Sequence, residues 1–262
     1  MSDTVRYEVG DHVAVVTLHR PERLNAMTTE LLQALLGSLE SAAIDNDVRA
    51  VILTGAGRAF CAGGDVTGLA GGGEREPGNV REAMRGGFRV VELLREMPKV
   101  TIAAINGPCA GAGFAIACAC DLRYAARSAI FNSAFVAVGS SGDYGGAWTL
   151  PRIVGEAKAR EIYLLSERFD AATAERIGLV ANVFDDVDLM VRARAAAERA
   201  ANFAPLTVAA IKESFNDSAG EPSFSAYLDR EADRFTRVLG TRDATEAARA
   251  FLEKRSPRFE GR

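Results

Sequence analysis

The sequence predicts a layered α/β fold with a helical C-terminal part. Short runs rich in β-branched residues alternate with segments of helical period through the first half of the chain. After about Leu150 the strands thin out, and residues 180–184 form the last good one. Strand–helix alternation that gives way to helices argues for a sheet covered by helices, followed by a helical region. At 262 residues the chain can build one large domain with a sizeable core. We place that core in residues 1–200 and the helical C-terminal region in residues 201–262.

The elements follow from local signals. Residues 5–9 and 13–18 read as two strands, with Gly10-Asp11 as the turn signal between them. Thr28 or Thr29 can cap a helix that runs to about Ile44, since Leu31, Leu32, Leu35, Leu36 and Leu39 fall at helical spacing. Residues 50–53 form a short buried strand ending at Thr54-Gly55. A helix begins near Val80 and stops at Pro98, which cannot continue it. Residues 101–105 are the next strand, with Asn106-Gly107 as the turn after it. Residues 111–120 are helical and nearly free of polar groups, which predicts burial on all sides. Residues 121–125 and 130–132 are further short strands. Residues 189–202, 206–219, 223–239 and 241–254 read as helices, with Pro205 and Pro222 as starts. The glycine-rich residues 68–78 read either as a flap over a site or as a plain surface loop.

Composition narrows the function classes. Hydrophobic residues make up 48%, charged residues 25%, and the net charge is −4, so no broad basic face exists for nucleic acid. No apolar run approaches the length of a membrane span, and residues 1–7 lack a signal-peptide core, so we expect a cytoplasmic protein. Cys61, Cys109, Cys118 and Cys120 lack zinc spacing and read as reduced, buried thiols; no metal is expected.

Two glycine-rich turns carry the chemical signal. One is Gly57-Arg58-Ala59-Phe60-Cys61-Ala62-Gly63-Gly64-Asp65, directly after a strand. The other is Asn106-Gly107-Pro108-Cys109-Ala110-Gly111-Ala112-Gly113-Phe114, between a strand and a helix. Small residues let a ligand approach the backbone, and a helix starting near Gly111 presents unpaired N–H groups. Two such turns facing one point would make an oxyanion hole. Gly111-Ala112-Gly113 also begins a dinucleotide fingerprint, but Ile116 occupies its third glycine position, so the fingerprint is incomplete. Glycines placed only for tight helix packing are the structural alternative.

Five motifs in order resemble the enoyl-CoA hydratase/isomerase (crotonase) family over about residues 5–258. Arg20-Pro21-Glu22-Arg23-Leu24-Asn25-Ala26 resembles its R-P-x-x-x-N-A stretch, and Phe60-Cys61-Ala62-Gly63-Gly64-Asp65 its F-x-A-G-x-D loop. Residues 106–121 resemble its N-G-x-x-x-G-x-G helix closing in C-D. Leu150-Pro151-Arg152-Ile153-Val154-Gly155 and the tail Ala250-Phe251-Leu252-Glu253-Lys254-Arg255 complete the set. The resemblance implies a spiral of strand-strand-helix turns, a C-terminal helical region used for oligomerisation, and a homotrimer or dimer of trimers. It implies that Gly64 and Ala112 donate the oxyanion N–H groups. It also implies that coenzyme A, as part of a thioester substrate with no permanent cofactor, lies along Arg23, Leu24 and Ala26, with Ala62 and Asp65 near the adenine. Phe251 and Lys254 resemble tail residues that reach coenzyme A from a neighbouring subunit.

The departures from the family pattern decide the reaction. Its hydratases use two glutamates; the matching positions here are Ala115 and Phe135, and neither transfers a proton. Asp143 stands where some isomerases of the family place a proton-shuttling Asp and a dehalogenase branch a nucleophilic one. It could equally cap the helix that follows. Tyr144 beside it could donate a hydrogen bond or simply pack. His12 and His19 do not match the histidine base of the dehalogenase branch. Phe135 and Trp148 suggest an apolar pocket or ordinary core. Glu74, Glu76 and Glu92 are the carboxylates that could still enter the site from elsewhere. The expected function is therefore acyl-CoA chemistry through a thioester enolate. An isomerase-type proton shuttle on Asp143 is the specific reading; a hydratase or a catalytically silent acyl-CoA scaffold is the alternative.

Overall fold

A computed structural model describes residues 3–65 and 77–262. Most of the glycine-rich stretch read as a flap, with Glu74 and Glu76, lies outside the described residues. Strands β1 (Val5–Gly10) and β2 (Val13–Leu18) form an antiparallel hairpin in which Gly10 still pairs with Val13. The loop is thus Asp11-His12, one residue later than the sequence signal. Both residues adopt the left-handed conformation, at φ 52° and 63°, that a two-residue hairpin turn requires.

From β2 the sheet continues in parallel through β3 (Ala50–Gly55), β4 (Val100–Ile105), β6 (Leu122–Ala126) and β9 (Asn182–Phe184), in the order β1-β2-β3-β4-β6-β9. A second sheet joins β5 (Cys109–Ala110), β7 (Ile130–Asn132) and β8 (Phe169–Asp170). Parallel strands need cover on both faces, and β3 is buried at every residue. Val51 and Leu53 enter one core with Leu31, Leu35 and Leu39 of α1 (Thr29–Ile44) and with Leu94 of α2 (Pro77–Glu96). Ala50 and Ile52 point the other way, against Leu189, Ala193 and Ala197 of α7 (Leu189–Ala201). The period of two along β3 therefore divides its side chains between two cores. Each fully buried Leu or Ile contributes about 1.5–3 kcal/mol. Thr28 caps α1 by accepting from the Leu31 N–H at 3.2 Å.

Helix α3 (Gly111–Ala119) is buried along its whole length, as its lack of polar groups predicts. The helix expected after Asp143 is α4 (Gly146–Val154); two helices after it, α5 (Glu156–Leu165) and α6 (Ala171–Arg176), were not read from the sequence. Pro151 lies inside α4, and Gly155 turns the chain at φ 81°, so both act as breakers in sequence while helix continues in space.

The C-terminal helices are α8 (Pro205–Ser218), α9 (Phe224–Leu239) and α10 (Arg242–Leu252). Lys212 anchors α8 to the core. Its buried ammonium donates to the Leu94 and Lys99 carbonyls, both at 2.9 Å, and to Asp121 at 2.7 Å. Among the described residues no helix is long and apolar enough to cross a membrane.

Candidate active site

The loop after β2 is held in an unusual shape by one side chain. Leu24 and Asn25 both take left-handed backbone, at φ 51° and 56°, a costly choice for a leucine. Asn25 is fully buried, and its amide offsets that cost. Its oxygen accepts from the Arg20 N–H at 2.8 Å, and its nitrogen donates to the Ala56 and Ala59 carbonyls at 3.0 and 2.7 Å. The fold so produced brings Leu24 against the first glycine turn, whose Ala62 N–H donates to the Leu24 carbonyl at 3.0 Å. Arg20 ties the ends together, donating to the Ala26 carbonyl at 2.6 Å and lying 3.3 Å from the Asp65 carboxylate. Arg23, Leu24, Ala26, Ala62 and Asp65 thus belong to one surface. Arg23 and Ala62 are exposed, and the other three are half-buried.

The two glycine turns lie side by side. Cys61 and Cys109 bridge them in parallel, with the Ala110 N–H donating to the Cys61 carbonyl at 2.9 Å. The Met27–Gly64 bridge uses the Gly63 carbonyl and the Asp65 N–H, leaving the Gly64 N–H outside that pairing. Gly63, at φ 101°, approaches Gly111, at φ 50°, so closely that backbone meets backbone. A Cβ on Gly113 would stand 2.5 Å from the Cys61 Cβ. Here the glycines serve close packing of one turn on the other. Ala112 lies in the first turn of α3, where N–H groups have no partner within the helix. Space beside Gly64 is open.

Asp143 does not cap α4. The cap position belongs to Gly145 and carries no side-chain bond; Asp143 contributes only its backbone carbonyl, which accepts from the Gly146 N–H at 3.1 Å. Its carboxylate is turned inward instead. Oδ1 is buried and has no hydrogen-bond partner among the described residues. Burial pushes this carboxyl up to about 6. It lies close enough to the first glycine turn for its charge to act on Cys61, whose thiol is raised to about 11, mainly by burial. Tyr144, at φ 45°, packs edge-on against Phe88 of α2 with ring centroids 5.6 Å apart. Burial, then the Asp143 charge, raises its hydroxyl above the ordinary tyrosine value.

Ala115 and Phe135 are both buried, at 0% and 4% exposure. Beside them stands a residue that the sequence does not single out. Tyr163 of α5 stacks on Phe135, with centroids 5.6 Å apart and planes at 25°. A methyl group added to Gly146 would overlap the Tyr163 hydroxyl and lie 3.0 Å from the Ala115 Cβ. The hydroxyl therefore sits where the Ala115 and Phe135 positions meet. No motif marks Tyr163, because α5 itself is not legible in the sequence.

Other candidates resolve simply. Glu92 is hydrogen-bonded to Arg85 and Arg89, which hold its carboxyl below the usual range. All four cysteines are buried and reduced, and burial raises Cys118 and Cys120 to about 12. His12 and His19 lie against the backbone carbonyls of Asp47 and Asp3. Trp148 is surface-bound rather than pocket-lining, with the Arg95 and Arg152 guanidiniums 4.3 and 3.7 Å from its ring centre. A cavity of about 550 Å³ lies at the far end of α3 from Ala112, between Asp121, Lys212 and Phe215. It is lined from α8 by Ile211, Lys212 and Phe215 and is distinct from the two turns. Phe251 is 83% exposed at the end of α10, which packs chiefly on α9, and Lys254 follows at φ 54°.

A parallel-rich sheet wound with helices, and a helix N-terminus laid against a second glycine turn, fit the crotonase fold that the sequence motifs resemble. A family profile described as Enoyl-CoA hydratase/isomerase matches residues 8–262. The chain belongs to that family, whose members act on acyl-CoA. It is 39% identical over 261 residues to a probable enoyl-CoA hydratase of Rhodobacter capsulatus, covering 99% of this chain and 98% of that one. It is 36% identical over 270 residues to the 1,2-epoxyphenylacetyl-CoA isomerase of Escherichia coli, covering all of both. The crystal structure of a putative enoyl-CoA hydratase from Streptomyces coelicolor superposes with a TM-score of 0.93 at 36% identity, covering 99% of this chain and 94% of that chain.

Proposed function

We propose that this protein moves a proton along the acyl chain of a coenzyme A thioester, with Asp143 as the carrier. Asp143 takes a proton from the α or γ carbon, and the electron pair moves to the thioester oxygen. The Gly64 and Ala112 N–H groups hold the resulting enolate oxygen; a donor of this kind typically contributes about 10²–10³ in rate. Protonated Asp143 then returns the proton to a different carbon. The double bond shifts, and nothing is consumed. The observation that carries this reading is the inward-turned Asp143 carboxylate, partnerless at Oδ1 among the described residues and raised to about 6.

Coenzyme A enters only as part of the substrate. We assign its binding to Arg23, Leu24, Ala26, Ala62 and Asp65, with Phe251 and Lys254 supplied by a neighbouring subunit of a trimer or dimer of trimers. The exposure of Phe215, Phe235, Phe251 and Leu252, at 72%, 66%, 83% and 80%, supports that assembly. Hydration, suggested by the names of several relatives, needs an acid and a base on one water. Ala115 and Phe135 provide neither.

Proton abstraction is read directly by deuterium uptake. Acyl-CoA thioesters incubated in heavy water with the protein should gain mass. Asp143→Asn should lower the uptake rate by about 10²–10⁴-fold while calorimetry finds thioester binding unchanged. Uptake that survives the substitution would remove Asp143 from the chemistry. No uptake by the unmodified protein, with binding retained, would favour a silent acyl-CoA scaffold.

A further inference from the structure

The Tyr163 hydroxyl is buried and has no hydrogen-bond partner among the described residues. An unmet buried hydroxyl disfavours the state in which it occurs, so its persistence at a candidate site asks what meets it. The groups packed directly on it do not. Ala115 offers a methyl group, Phe135 offers a ring face, and Gly146 offers no side chain. The Tyr163 ring runs along the turn that bears Asp143: its Cε1 lies 3.5 Å from where a Gly142 Cβ would be, and its hydroxyl abuts Gly146. The Asp143 charge is among the causes that raise the tyrosine hydroxyl. Two polar atoms without a partner among the described residues therefore meet at one turn: Asp143 Oδ1, which the turn carries, and Tyr163 Oη, which packs against it from α5.

We propose that Tyr163 is a specificity-determining residue that donates a hydrogen bond to an oxygen on the acyl group, so that the preferred substrates are oxygenated acyl-CoA thioesters rather than plain hydrocarbon ones. This rests on the acyl-CoA reading above and narrows it. A hydrocarbon chain seated here leaves the hydroxyl unmet. A hydroxyl, keto or epoxide oxygen on the chain meets it. The Phe135 stack fixes the ring plane, so the donor has little freedom to turn elsewhere.

The test is a binding comparison. Butanoyl-CoA and 3-hydroxybutanoyl-CoA are titrated calorimetrically into the full chain and into Tyr163→Phe. The unmodified protein should prefer the oxygenated thioester by at least about ten-fold, equivalent to roughly 1.4 kcal/mol. Tyr163→Phe should erase that preference by weakening the oxygenated ligand alone. Ala115→Val, which adds bulk on the side of the hydroxyl away from its own helix backbone, should erase it as well and serves if Tyr163→Phe does not fold. Equal affinity in the unmodified protein overturns this proposal and leaves the acyl-CoA reading standing. So does a preference that survives in the folded variants, or a loss shared equally by both thioesters. Failure of both thioesters to bind the unmodified protein overturns the two readings together.

Discussion

Replacing Asp143 by Asn should make the protein more stable at neutral pH while removing its activity. The carboxyl is raised from 3.8 to about 6 by burial. A displacement of that size corresponds to at most about 3 kcal/mol between the two protonation states. The side chain is only partly buried, so solvent screening reduces the realistic figure to about 1–2 kcal/mol. The sign follows from linkage. A carboxyl whose folded pKa lies above its unfolded one binds more protons in the native state, so stability falls as pH rises between about 4 and 6. The penalty is absent below that window and complete above it. Urea unfolding of both proteins at pH 8 and pH 4 reads this directly. Asp143→Asn should be more stable at pH 8 and show little difference at pH 4. No gain at pH 8, or the same gain at both, would refute a buried, proton-favouring carboxyl. The same shift sets the rate profile: kcat/KM should rise as pH increases through about 6 and level off, because the base must be ionised.

Other perturbations test the scaffold. Gly113→Ala puts a Cβ 2.5 Å from that of Cys61 and should cost about 1–3 kcal/mol while parting the two turns, read as a lower melting temperature and a loss of deuterium uptake. Asn25→Ala removes three hydrogen bonds from a fully buried site and should lower stability by about 3 kcal/mol in chemical denaturation, with weaker coenzyme A binding because Leu24 and Ala62 separate. Lys212→Met leaves Asp121 without its buried partner and should cost about 3–5 kcal/mol, checked by urea unfolding. Hydration of crotonyl-CoA should be slower than deuterium exchange, since two groups that each typically contribute about 10²–10⁴-fold are absent. Rapid loss of the enoyl absorbance would refute that.

The sheet is legible in the sequence because its central strand is a short run, apolar throughout over residues 50–53 and bounded by a turn signal, as burial on both faces requires. Which core Val51 and Leu53 enter, and which Ala50 and Ile52, is settled only by the structure. The glycine turns are legible because close backbone approach permits few residue types, and Gly113 against Cys61 bears this out. Helix α5 is hidden by Pro151 and Gly155 just before it, which are breakers to local rules and tolerated only because tertiary packing holds the chain. That same blind spot conceals Tyr163. Its place beside Ala115 and Phe135 depends on three segments far apart in sequence, and no spacing rule reports such a meeting. A capping role for Asp143 is a fair reading of residue type, and only the direction of its side chain, inward and without a capping bond, decides against it.

The apolar character of Ala115 and Phe135 and the raised Asp143 carboxyl are connected. Adding water to a double bond requires two groups in opposite protonation states at the same moment. Shifting a double bond requires one group that is ionised, accepts a proton, and gives it back. A carboxyl near 6 suits the shift better than the addition. At neutral pH about nine-tenths of it is ionised, yet it is basic enough to hold a carbon-derived proton briefly. Carboxylates at positions 115 and 135 would bring water and further charge to that neighbourhood. Ala115 and Phe135 are instead buried and apolar, and burial is the cause that raises Asp143. Ala115 and Phe135 therefore favour the dry surroundings in which a single carboxyl can act as both acceptor and donor.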